Sequence, residues 1–171
     1  MTDISLTELV ALVVEPSSTQ RRIICRALRD NGIPTILETE NGEQALHRLK
    51  EDSPDVVISS MYLADMNGTD LVRHIRESSS HADTPFMLIS SETRFRYLDP
   101  IRQAGVVGIL PKPFSNPELR TALETTLDLL QECPEVLGEM EGESLRILVV
   151  DDSPFSRKHI SRVMQSLGIE H

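Results

Sequence analysis

Short apolar runs alternate with amphipathic segments along the first 130 residues, and this alternation restricts the fold more than any other feature. A short apolar run bounded by turn residues predicts a strand buried on both faces, as in a parallel sheet. The runs that meet this description are residues 9–14, 35–38, 56–60, 86–89 and 107–110. Because a helical pattern follows each of them, the sequence predicts a doubly wound α/β domain with five strands and five helices.

The predicted helices have recognisable ends. Ser17 or Ser18 caps the first helix, and Gly32 ends it. The fourth helix is the weak one, since Pro100 removes a backbone donor and clashes with the preceding turn. We therefore expect residues 93–99 to form a loop or short turn, with regular helix from Asp99. The residues predicted to face the core are Ile23, Ile24, Ala27 and Leu28 in the first helix, Ala45, Leu46 and Leu49 in the second, Leu71, Val72 and Ile75 in the third, and Leu119, Ala122, Leu123, Thr126, Leu127 and Leu130 in the last.

The chain then begins to repeat itself. After a stretch with Pro134 among glutamates, residues 148–150 match 12–14, and Ser153 and Arg157 match Ser17 and Arg21. The sequence thus predicts a domain at residues 1–131, an acidic linker at 132–144, and the first strand and helix of a second copy at 145–171. We expect residues 145–167 to pack on the first domain or on another copy of the chain, and we favour the dimer.

Composition excludes several classes of function. The net charge of −10 leaves no Lys/Arg stripe for nucleic acid or for an anionic membrane surface. No apolar run approaches the ~18 residues needed to span a bilayer, and the N-terminus has no signal-peptide pattern, so a cytoplasmic location is expected. Cys25 and Cys133 belong to no metal or redox motif, and we interpret Cys25 as a buried structural thiol.

Several motifs together resemble the receiver domain of bacterial two-component response regulators, the CheY-like family. They are the segment 54–58 (Pro-Asp-Val-Val-Ile), the segment 66–68 (Met-Asn-Gly), the hydroxyl of Ser90 after the fourth strand, and the segment 112–114 (Lys-Pro-Phe). The resemblance covers about residues 9–130, and residues 145–171 resemble the opening of another receiver. It implies a flavodoxin-like parallel sheet in the order 2-1-3-4-5.

The resemblance also implies a phosphorylation site, which this chain keeps only in part. In the family, an aspartate ending the third strand accepts a phosphoryl group, and an acidic pair after the first strand helps it to hold Mg²⁺. A hydroxyl and a lysine contact the phosphoryl oxygens, and Ser90 and Lys112 match them. The acidic pair, however, falls on Glu15 and Pro16, and the acceptor falls on Ser60.

These departures have chemical consequences. Ser60 cannot form an acyl phosphate, and we expect no metal site in the first domain. We predict instead that Lys112 pairs with Glu15. In the family an aromatic switch residue precedes the lysine, and here Ile109 occupies that position. Asp151 and Asp152 keep the acidic pair of the second receiver, so Mg²⁺ is expected only in an intact second receiver.

The leading interpretation is therefore a pseudo-receiver. It would not be an enzyme but a phosphorylation-independent interaction module of a tandem-receiver regulator, with a histidine kinase, an output domain or a second copy as partner. One rival is a conventional receiver that uses a displaced aspartate, although Asp55, Asp65 and Asp70 suit a strand start, a loop and a helix first turn. Another is a flavodoxin-like small-ligand domain, but no phosphate-binding loop follows Val14.

Overall fold

The computed structural model describes residues 5–130 and 147–166. The strands are β1 (Val10–Val14), β2 (Thr35–Thr39), β3 (Val56–Ser60), β4 (Phe86–Ser90) and β5 (Gly108–Pro111). The helices are α1 (Ser18–Asp30), α2 (Gly42–Asp52), α3 (Gly68–Glu77), α4 (Phe95–Gln103), α5 (Asn116–Leu130) and α6 (Pro154–Ser166), and a 3₁₀ turn at Leu6–Glu8 precedes β1. The strands form one parallel sheet in the order β2-β1-β3-β4-β5. The predicted fold class and strand order are therefore confirmed.

The sheet is buried on both faces, which explains why its central strands are mostly apolar. Every residue of β3 and β4 is buried. Side chains such as Val13 and Ile58 pack with α1 and α5 on one face, and Leu12 and Leu88 pack with α2, α3 and α4 on the other. No helix among the described residues is long and apolar enough to cross a membrane.

Local capping fixes the helices next to the sheet's carboxyl edge. The Ser17 hydroxyl accepts the N–H of Gln20 at 3.4 Å at the start of α1, and Asn67 accepts the N–H of Asp70 at 2.9 Å at the start of α3. Gly68 permits a close approach, because a Cβ there would lie 3.2 Å from the Ser60 carbonyl oxygen. The Asn67-Gly68 pair thus sets α3 directly behind the end of β3.

Two sequence predictions within residues 5–130 are wrong, and several strand bounds differ by one residue, as at the start of β1 and the end of β2. Ile23 is 58% exposed rather than packed on the core. β5 begins at Gly108 and ends at Pro111, one residue later than predicted. α4 runs continuously from Phe95 to Gln103 with Pro100 inside it. Ile101 is fully buried against the core, and this burial outweighs the backbone donor that proline lacks.

The repeated segment is helical but has no described strand. α6 spans Pro154–Ser166, whereas residues 147–150 have no regular secondary structure, and Leu148 and Val150 are 87% and 82% exposed. The predicted strand over 145–150 is therefore wrong in its described part, because no neighbouring strand is there to pair with it. The predicted linker and Cys133 lie outside the described residues. The single chain packs α6 against the first domain, and the expected dimer stays a prediction.

Candidate functional site

The parallel sheet brings four of the predicted site residues to its carboxyl edge. Glu15 follows β1, Ser60 ends β3, Ser90 ends β4 and Lys112 follows β5. These four strands are neighbours in the sheet. Polar groups at this edge are where ligands bind in open α/β sheets.

Glu15, Ser60 and Lys112 form one closed polar network. Lys112 Nζ lies 2.9 Å from Glu15 Oε2, which confirms the predicted contact. The Ser60 hydroxyl donates to the same Oε2 oxygen, and Lys112 Nζ also donates to Ser60 Oγ at 3.3 Å. Ser60 therefore bridges the acid and the base across the position of the missing carboxylate.

The Glu15 carboxylate is buried yet fully hydrogen-bonded. The residue is 5% exposed, and its second oxygen, Oε1, accepts the N–H of Ser17 at 3.0 Å. Burial acts to raise the pKa of Glu15, but the hydrogen bonds from Ser60, Lys112 and Ser17 outweigh it and hold the pKa below its usual value. The carboxylate is thus a charged, occupied acceptor at neutral pH.

Two members of the network were not predicted from the sequence. Gln20 Oε1 accepts a hydrogen bond from Lys112 Nζ at 2.5 Å, and Arg21 Nη1 donates to the Glu15 carbonyl oxygen at 2.7 Å. Both lie near the start of α1, which begins at Ser18, three residues after Glu15. A helix that starts at the end of β1 necessarily points early side chains at this edge, and that spacing was the only available signal.

The remaining predicted pocket residues take other roles. Ser90 is buried, and its hydroxyl accepts the N–H of Glu92 at 3.0 Å, so it stabilises the loop before α4. Pro16 is exposed. Ile109, at the switch position, is half-buried and packs against the apolar layer beneath α4. Ser90 contacts the Glu15–Lys112 pair through its backbone, since its carbonyl oxygen accepts the N–H of Lys112 at 2.8 Å.

The three nearby aspartates have structural partners. Asp55 accepts the N–H of Val10 at 2.7 Å and so fixes the start of the sheet. Asp65 accepts the N–H groups of Gly42 and Glu43 at 2.9 and 2.8 Å, at the start of α2. Asp70 lies in the first turn of α3, where negative charge is favourable. These contacts agree with the structural roles predicted for them.

The residues at this edge do not fit Mg²⁺. The ion requires several oxygen ligands in near-octahedral geometry. Glu15 is the pocket's only carboxylate of the predicted set, and both of its oxygens accept hydrogen bonds from Ser17, Ser60 and Lys112. Across the described ranges 5–130 and 147–166, no three His, Cys, Asp or Glu residues are grouped to hold a metal.

The acidic pair of the repeated segment lies apart from this network. Asp151 is half-buried, and its Oδ1 accepts the N–H of Ser153 at 2.8 Å. Asp152 is exposed. The two carboxylates precede α6 as Glu15 and Pro16 precede α1.

Comparison with known proteins is consistent with this architecture. A family model described as the response regulator receiver domain matches residues 11–124. This chain belongs to the response regulator receiver family. Among similar proteins, the chemotaxis protein CheY-3 of Vibrio cholerae serotype O1 is 33% identical over 119 residues, which cover 70% of this chain and 92% of the relative. The chemotaxis protein CheY1 of Helicobacter pylori is 35% identical over 117 residues, covering 68% and 94%.

Solved receiver structures share the fold. The chemotaxis response regulator CheY4 of Vibrio cholerae superposes with a TM-score of 0.64 at 26% identity, covering 69% of this chain and 98% of CheY4. The family match over residues 11–124 spans the sheet from Ala11 onward and includes both Ser60 and Lys112.

Proposed function

We propose that this receiver is a pseudo-receiver, a protein-interaction module of a cytoplasmic tandem-receiver response regulator that works without aspartate phosphorylation. It has no catalytic activity of its own. The observation that carries the proposal is the network in which Ser60 and Lys112 both contact Glu15.

The chemistry of that network opposes phosphoryl transfer. A serine hydroxyl forms a stable ester rather than an acyl phosphate, and it must lose its proton to attack. Among the described residues, Glu15 is the only base in contact with the Ser60 hydroxyl, but its pKa is lowered, so it is a poor proton acceptor. Lys112, which would otherwise neutralise an incoming phosphoryl group, already has an anionic partner.

The rival interpretations have less support. A displaced acceptor would require Asp55, Asp65 or Asp70 to leave its present role, and Asp55 and Asp65 each accept backbone N–H groups at 2.9 Å or less. A flavodoxin-like ligand site would need free backbone donors after β1, yet the Ser17 N–H already donates to Glu15, and the Ser17 hydroxyl caps α1 by accepting the N–H of Gln20.

The tandem arrangement is supported by hydrogen bonds that the repeated segment reproduces. Ser153 donates its N–H to the Asp151 carboxylate at 2.8 Å, and Arg157 Nη1 donates to the Asp151 carbonyl oxygen at 2.5 Å. The corresponding residues of the first copy make the same two bonds to Glu15. We therefore assign residues 145–171 to the opening of a second receiver, whose acidic pair would serve Mg²⁺ when that domain is intact.

The partners that this proposal implies are proteins. Receivers interact with histidine kinases and output domains, and a partner of this receiver would bind whether or not a phosphoryl donor is present. The net charge of −10 disfavours nucleic acid.

The test is incubation of the chain with acetyl phosphate and Mg²⁺, read by intact mass spectrometry. A phosphorylatable receiver serves as the positive control, and the Ser60→Asp/Pro16→Asp variant serves as the matched variant with the carboxylates restored. We expect no mass increase in the native chain and a gain of one phosphoryl group in the variant. A phosphoryl group on the native chain, mapped to residues 5–130, would refute the proposal.

A further inference from the structure

The loop between α3 and β4 presents Asp83 in a fixed position. Arg76, on α3, donates from Nη1 to the carbonyl oxygens of Ala82 and Thr84 at 2.9 and 2.7 Å. Its Nη2 donates to the Gly105 carbonyl oxygen at 2.6 Å, beyond the end of α4. Because these bonds hold the backbone on both sides of Asp83, the fold itself fixes the position of the Asp83 carboxylate at the surface.

Two cations of α6 converge on this carboxylate. Lys158 Nζ lies 2.7 and 2.9 Å from the two Asp83 oxygens, and Arg162 Nη2 lies 2.6 Å from Oδ2. The two residues are four apart and so lie on one face of the helix. Burial acts to raise the pKa of Asp83, but the hydrogen bonds from Lys158 and Arg162 lower it below its usual value.

Two grooves near these ion pairs lie between α6 and the first domain. Pro154 and Lys158 line a groove together with Pro100 and Ala104 of the α4 region. A second groove has the start of α6 and the residues just before it on one side. The surface formed by α4 and β5 of the first receiver lies on the other side. The lining of this second groove includes Asp151, Ser153, Ser156, Leu98, Val106 and Ile109. The start of α6 therefore faces α4 across two grooves, beside the direct ion pairs to Asp83.

The internal repeat indicates that the ion pairs to Asp83 use a face of α6 that a complete second receiver would leave exposed. Lys158 and Arg162 correspond to Arg22 and Arg26 of α1, and both of those arginines are exposed in the first receiver. The Arg26 side chain is 85% exposed. A completed second receiver would therefore still present Lys158 and Arg162 to solvent.

The apolar face of α6 is separate from these cations. Ile160 and Met164 correspond to Ile24 and Leu28, which are buried against the first receiver's sheet. In a completed second receiver these side chains would enter its own core. Docking through Lys158 and Arg162 does not compete with that packing.

We infer that the surface formed by the Asp83 loop and α4 is a docking site for the first helix of the second receiver of the same chain, selected by the Asp83 ion pairs. The inference rests on the proposed tandem arrangement. It assigns to the first receiver a positioning role for the second.

Hydrogen exchange of the 171-residue chain tests the docking. An isolated helix as short as α6, with 13 residues, is marginal in water, so its amides are protected only while it is docked. We expect Asp83→Lys to speed exchange of the 154–166 amides by at least about tenfold. The Lys158→Glu/Arg162→Glu variant should do the same without altering the first domain. Combining all three changes should restore protection by reversing the charges. Asp30→Lys, which removes an exposed helix carboxylate elsewhere, is the matched control and should change nothing.

Each other outcome overturns the inference. Equal exchange of α6 in the native chain and in the Lys158→Glu/Arg162→Glu variant would mean that the ion pairs do not select the site. Protection that rises with protein concentration would mean that α6 docks on a second copy. Neither result changes the phosphorylation measured by mass spectrometry, and uptake of a phosphoryl group would leave the exchange result unchanged. The pseudo-receiver proposal and the docking proposal can therefore fail independently of each other.

Discussion

Replacing Lys112 with methionine removes the cation from the polar network and keeps most of the side chain's apolar volume. Glu15 is then left as a carboxylate without a positive partner in a site where the residue is 5% exposed. A buried charge that loses its partner is destabilising, because neither water nor another ion replaces it.

The magnitude follows from the burial and the remaining hydrogen bonds. Removing one partner of a fully buried ion pair costs about 3–5 kcal/mol. The Lys112 side chain is 21% exposed and Glu15 keeps its bonds from Ser60 and Ser17, so part of this cost is avoided. We expect a loss of about 2 kcal/mol in the free energy of unfolding, which lowers the Tm by roughly 6–10 °C for a domain of this size.

Urea denaturation followed by circular dichroism measures this change, with Lys50→Met as the control because Lys50 is exposed on α2. The control should lose no more than about 0.5 kcal/mol. The Glu15→Gln/Lys112→Met double variant should recover at least half of the loss, because no unpaired charge remains. A Lys112→Met variant as stable as the control would refute the view that the pair is a coupled, buried unit.

Two further predictions concern the same site, and a third concerns the buried thiol of α1. Because the pKa of Glu15 is lower in the folded state, its ionised form stabilises the fold at pH values above the usual pKa of 4.5. This stabilisation is lost as the pH falls through the folded-state pKa. The Tm of the Glu15→Gln variant should therefore fall less steeply with acid than the Tm of the native chain. Millimolar Mg²⁺ should leave the Tm of the native first domain unchanged but raise it in the Ser60→Asp/Pro16→Asp variant, since only native-state binding stabilises. Burial, with the Glu38 charge as a further cause, raises the pKa of Cys25 to about 11, so in a Cys133→Ser background the thiol should resist iodoacetamide at neutral pH until the protein is unfolded.

The elements that depend on periodic apolar patterns were predictable from sequence. β3 and β4 are continuous apolar runs with turn residues on both sides, and their predicted bounds agree with the structure to within a residue. The Glu15–Lys112 contact was also predictable, because the resemblance to receivers places Lys112 opposite an acceptor carboxylate that this chain lacks, and an ammonium there needs another counter-charge.

The errors arose where tertiary packing overrides local preference. Pro100 disfavours helix locally, but the full burial of Ile101 maintains α4 through it. Residues 147–150 have strand-forming composition, yet a strand needs a neighbour, and the described part of the chain provides none. Gln20 could not be assigned to the network, since no local pattern distinguishes it from any other polar residue of a first helical turn.

We propose that the receiver's pocket takes up neither Mg²⁺ nor a phosphoryl group because Ser60, Glu15 and Lys112 satisfy one another. The most direct measurement is proton–nitrogen NMR of the chain, titrated with Mg²⁺ and then with beryllofluoride, a phosphoryl mimic that needs a carboxylate acceptor. We predict that the amide signals of these three residues stay unchanged in both titrations. Saturable shifts of the Ser60 and Lys112 amides would contradict the account.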